Sequence, residues 1–65
     1  MILDITYHAK QKMIILGITK EQIIKTIKLG SKFEQTDGLI AKYSYIRVAY
    51  KKRGEYYKIK TVFIE

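Results

Sequence analysis

His8 and Lys12 stand four residues apart, one helical turn, and they open the chemical reading of this chain. Histidine is the side chain that exchanges protons most readily near neutral pH. Lysine one turn away supplies a cation for a phosphate. RNA cleavage is a reaction such groups can run without a metal, because the ribose 2′-OH is an internal nucleophile. The protein then adds only a base, an acid and cations for the pentavalent transition state. Arg47 is the second cation expected at the phosphate, and a sheet tyrosine, Tyr45 or Tyr43, is the group expected to orient the ribose or donate a proton. His8, Lys12, Arg47 and Tyr45 form the catalytic set in this reading.

Other chemistries find little to work with. There is no cysteine and only one histidine, so a thiol nucleophile, a disulfide framework and a zinc cluster are excluded. The acids are scattered, with no pair spaced for glycoside or metal-assisted hydrolysis. Phosphate-binding glycine loops, a Ser/His/Asp order and the H-E-x-x-H helix are absent. No metal and no cofactor are expected.

Charge points to a polyanion. Thirteen Lys and Arg against six Asp and Glu give a net charge of +7. The excess lies late in the chain, where Lys42, Arg47, Lys51, Lys52, Arg53, Lys58 and Lys60 face a single acid, Glu55, before residue 65. Tyrosines are interleaved with them. Such a surface neutralises phosphates and stacks bases, the two main contributions to single-strand binding. Tyr43, Tyr56, Lys51, Lys52, Arg53, Lys58 and Lys60 are the expected nucleic-acid contacts.

The elements that must position these groups follow from periodicity. At 65 residues the chain makes one domain with a single small core. Residues 2–6 alternate as a short strand or extended lead-in. Ala9, Met13 and Leu16 mark a helix over 7–16, closed by Gly17. Thr19 and Gln22 form a capping box at the start of a second helix, 19–29, with Ile18 stapling onto Ile23 and Gly30 as its left-handed cap. Beyond Gly30 the Ile, Val and Tyr content predicts strands at 32–35, 39–50 and 55–64, turning at Thr36-Asp37-Gly38 and Lys51–Gly54. The expected fold is α+β, two N-terminal helices packed on one face of a three- to four-stranded antiparallel sheet. In the expected register Ile46, Val48, Ile59 and Phe63, with Tyr57, Ser44 and Thr61, face the core. Tyr43, Tyr45, Arg47, Tyr56, Lys58 and Lys60, with Ala41, Ala49 and Val62, face outward.

The segment His8-Ala9-Lys10-Gln11-Lys12-Met13-Ile14-Ile15-Leu16-Gly17-Ile18-Thr19 resembles the opening signature of the family called domain of unknown function 4258, roughly His-Ala-x-x-Arg-Met-x-x-Arg-Gly-Ile-Ser. The closing Lys58-Ile59-Lys60-Thr61-Val62-Phe63 resembles that family's last strand. Lys12 stands at the first arginine of the pattern and Leu16 at the second. The family is similar to RelE-like ribonuclease toxins. The resemblance therefore implies a RelE-like fold, metal-independent RNA cleavage and a small acidic antitoxin-like protein as neutralising partner. Two other classes fit the same charge: a noncatalytic nucleic-acid-binding or regulatory protein, and a protein-interaction domain with a basic face.

No apolar run approaches the ~20 residues needed to span a bilayer. The opening MILDITYHAK lacks the basic start and apolar run of a signal peptide. A soluble, cytoplasmic protein without a membrane partner is the expectation.

Overall fold

The computed structural model describes residues 1–65. The chain runs β1 (Ile2–Ile5), α1 (Tyr7–Leu16), α2 (Lys20–Leu29), β2 (Ser31–Gln35), β3 (Gly38–Tyr43), β4 (Ile46–Arg53) and β5 (Tyr56–Ile64). The strands form one sheet in the order β1-β5-β4-β3-β2. β2 to β5 are an antiparallel meander, and β1 lies parallel to β5. No helix is long and apolar enough to cross a membrane.

Both helices form as their sequence dictates. Thr6 caps α1 by accepting from the Ala9 amide, and Gly17 ends it at φ 71°. Thr19 and Gln22 make the reciprocal capping box of α2 at 3.2 and 2.8 Å. Ala9 on α1 and Ile23 and Ile27 on α2 are buried against one face of the sheet. They meet Ala41 of β3, Ile46, Val48 and Tyr50 of β4, and Ile59 and Val62 of β5. Ile18 is buried in the same cluster as Ile23, as a staple requires. Each fully buried Ile or Val contributes about 1.5–3 kcal/mol relative to exposure. The other sheet face has no helix on it.

The structure corrects the expected fold. A five-stranded mixed sheet replaces the three- to four-stranded antiparallel, RelE-like one. Residues 39–50 are two strands, because a turn at Ser44-Tyr45 folds β3 back on β4. Ser44 makes that turn at φ 58°, a left-handed conformation uncommon for a residue with a Cβ. The parallel pair arises because β1 fills the edge beside the last strand, with Leu3 and Ile5 opposite Tyr57 and Ile59. These four side chains share the core face.

The register is corrected in its second half. Even residues of β4 face odd residues of β5 from Tyr50–Ile59 to Arg53–Tyr56, as expected. A bulge between Ala49 and Tyr50 then leaves Lys60 unpaired and pairs Ala49 with Thr61, Val48 with Val62 and Arg47 with Phe63. Val62 is thereby buried, while Phe63 and Thr61 turn to the open face. Ala41 is also core, since it pairs with buried Val48, and Tyr43 shares the helix-side face with Ile46. Gly30 is corrected too. Its φ is −78°, so no left-handed cap is made. Glycine is needed there because a Cβ would meet the carbonyl oxygens of Lys42 and Thr26.

Candidate nucleic-acid interface

The β4–β5 hairpin and Asp4 of β1 border a cleft of about 390 Å³ lined by Asp4, Lys51, Lys52, Arg53, Tyr56 and Lys58. Lys51 and Lys58 are directly opposed across the two strands, as are Arg53 and Tyr56. Asp4 comes in from β1, paired in register with Lys58. Like charges placed directly opposite repel. One acid relieves part of the repulsion. Asp37, in the β2–β3 turn, binds the Lys51 ammonium at 2.7 Å and lies 3.6 Å from that of Lys60. A hydrogen bond from Lys51 and the two ammonium charges hold the Asp37 carboxyl below the usual carboxylate range. Lys52, Arg53 and Lys58 form no salt bridge. The Lys52 ammonium instead lies 5.5 Å from the centre of the Tyr57 ring. The cleft therefore presents three cations outside any salt bridge, with the Asp4 carboxylate among them, beside one half-exposed aromatic, Tyr56.

The remaining sequence-derived residues lie elsewhere. Lys60, at the bulge, reaches across β4 to donate to the Asp37 carbonyl at 2.6 Å. Tyr43 and Tyr45 line a shallower hollow of about 220 Å³ with Gln22, Lys25, Thr26, Ser44 and Ile46, away from the cleft. Arg47 is on the open face, bound to Glu65, with its guanidinium carbon 5.9 Å from the centre of the Phe63 ring. Its Nε is buried without a hydrogen-bond partner. Glu65 also binds Lys42. The Lys42 hydrogen bond, assisted by the Arg47 charge, holds the Glu65 carboxyl below its usual range. His8 is exposed at the start of α1, with Lys12 a turn along the same helix. α1 covers β5 from the helix side, so the sheet stands between these two residues and Arg47.

The structure thus gathers Lys51, Lys52, Arg53, Tyr56 and Lys58 into one cleft and distributes His8, Lys12, Arg47 and Tyr45 over three places. Asp4 is the cleft residue that sequence reasoning missed. Its only signal was the alternation of residues 2–6, which does not say which strand β1 joins. No three His, Cys, Asp or Glu side chains converge as metal ligands would. Comparison with family models, with curated proteins and with solved structures gives no match.

Proposed function

We propose that this protein binds RNA through the basic cleft of the β4–β5 hairpin, and that binding rather than catalysis is its principal activity. The observation that carries the reading is the convergence of Lys51, Lys52, Arg53 and Lys58 around a cleft whose aromatic wall is Tyr56. Phosphates would lie along the ammonium and guanidinium groups, and an unstacked base would lie on Tyr56. The Arg53 fork can hold one phosphate by two bonds, which a lysine cannot do.

The ribonuclease reading supported by the family resemblance needs His8 and Lys12 on α1 to act with a phosphate held on the same side of the sheet. Arg47 lies on the other side and is occupied by Glu65. A protein partner of antitoxin type would be acidic and would compete with RNA for the cleft.

The test is an anisotropy titration of a labelled single-stranded RNA at low salt. Arg53→Glu and Lys58→Glu should each weaken binding about tenfold or more, since each replaces a phosphate contact by repulsion. Lys25→Glu, which changes charge equally on α2, should change it little. Equal losses for all three would reduce the cleft to a share of the net charge. Incubation of the same RNA in EDTA, with His8→Ala as control, separates binding from cleavage.

A further inference from the structure

The sheet ends at β2, and β2 has nothing on its outer side. All five of its residues are exposed, and Phe33 shows half its surface to solvent. β2 and β3 join through a two-residue turn that closes on the Gln35–Gly38 pair. Neighbours so close across a turn can pair only by exchanging both backbone bonds. The alternation of an antiparallel ladder then assigns Ser31, Phe33 and Gln35 to β3 and turns the N–H and C=O of Lys32 and Glu34 outward. No other backbone hydrogen bond in the chain reaches these groups.

We propose that β2 pairs antiparallel with β2 of a second copy of this chain, about a two-fold axis through Phe33. The sequence Ser31-Lys32-Phe33-Glu34-Gln35 is self-complementary about its centre. Antiparallel pairing there sets Lys32 opposite the second copy's Glu34, and Glu34 opposite its Lys32. Ser31 then faces Gln35, and Phe33 meets its own counterpart. The outward backbone groups of Lys32 and Glu34 are the ones this register joins, each donating one bond and accepting one. The two Phe33 rings form a non-hydrogen-bonded pair, in which opposed side chains come closest. They lie on the open face next to Ile40, the β3 partner of Phe33. The charged pairs lie on the other face, where Lys32 now spends its ammonium on the exposed Gly30 carbonyl.

Charged residues on an edge strand commonly block pairing with other chains. Here their order does the opposite for one partner. A parallel or shifted alignment of two β2 strands loses the Lys32–Glu34 match, and the symmetric antiparallel one makes it twice. The interface is locally neutral although each copy carries +7. More distant charges are screened over about 8–10 Å at moderate salt. Both basic clefts fall on the same side of the joined sheet, at its far ends.

Sedimentation equilibrium of the whole protein from about 10 μM to about 1 mM tests this, a range suited to a weak dimer. The expected result is a concentration-dependent monomer–dimer equilibrium. Glu34→Lys and Lys32→Glu should each weaken it about tenfold or more by turning two attractive cross-strand pairs into repulsive ones. The double exchange Lys32→Glu with Glu34→Lys should restore it to within about threefold of the original. Circular dichroism of each variant establishes that it is folded. In the unchanged protein, hydrogen exchange of the Lys32 and Glu34 amides should slow as concentration rises, while that of the Phe33 amide should not. A monomer throughout the range would overturn the proposal. So would a dimer that ignores the charge reversals, or one that the double exchange does not recover.

Discussion

Asp37 and Glu65 do for the open face what the helices do for the core: they hold together groups that would otherwise separate. Each carboxylate draws two cations, Lys51 and Lys60 in one case and Lys42 and Arg47 in the other. Both carboxyls are held below their ordinary range, Asp37 chiefly by the Lys51 hydrogen bond and Glu65 chiefly by that of Lys42. The unfolded chain therefore binds more protons than the folded one in the acid range, and stability rises with pH through it. Their stabilisation is complete above the ordinary carboxylate values and is lost as pH falls through the lowered ones. Urea unfolding should give a stability that is level from about pH 7 to about pH 5 and declines below about pH 4. The double variant Asp37→Asn/Glu65→Gln should decline less steeply. Both groups are exposed, so added salt should shrink the difference. Gly30 is a residue of another kind, fixed by space rather than charge. Gly30→Ala should cost about 1–3 kcal/mol, because two backbone carbonyls must move to admit one methyl. Gly17→Ala meets no neighbouring atom and should cost only the roughly 1–2 kcal/mol of a left-handed residue. Thermal denaturation should show the larger loss at Gly30.

Among the elements, the β1–α1 junction carries the most structure on one side chain. The Thr6 hydroxyl accepts from the Ala9 amide to cap α1 and donates to the carbonyls of Ile59 at 2.9 Å and Lys60 at 3.2 Å. It therefore ties the first strand, the first helix and the β5 bulge at one point. Thr6→Val keeps the shape and removes these bonds, and should cost about 1–2 kcal/mol. For a chain of this size that is a fall in melting temperature of roughly 4–8 °C per kcal/mol. The helices were legible from the sequence, because caps and apolar spacing are local: Thr19 and Gln22 mark α2, and Ala9, Met13 and Leu16 mark the inward side of α1. The sheet was legible only where turns carry glycine. Gly38 and Gly54 announced their turns, whereas Ser44 adopts positive φ without the usual residue type. The extra residue at Lys60 carries no sequence mark and reverses the faces of everything after it, so Phe63 and Val62 exchange places relative to strict alternation. The parallel placement of β1 depends on contacts more than fifty residues apart, as the Thr6–Ile59 bond illustrates.

For the molecule as a whole, charge is arranged in three ways. Lys42, Arg47, Lys51 and Lys60 are spent on carboxylates within the chain. The helix lysines and Lys32 of β2 are spread over other surfaces. Lys52, Arg53 and Lys58 remain together at the β4–β5 hairpin without a salt bridge, with Asp4 of β1 beside Lys58. That cluster is legible in the sequence because it follows directly from chain order across one hairpin. The place of Tyr43 and Tyr45 is not, since the Ser44-Tyr45 turn decides it. The measurement that bears most directly on RNA binding by this cleft is the salt dependence of affinity for a short single-stranded RNA. Each neutralised phosphate contributes about −0.7 to the slope of log K against log salt concentration. With Lys52, Arg53 and Lys58 engaged, the slope should be about −2, and Lys58→Ala should make it shallower by roughly 0.7 while Lys25→Ala leaves it unchanged. Binding with a slope near zero, or a slope that Lys25→Ala reduces as much as Lys58→Ala does, would contradict an RNA site at the hairpin.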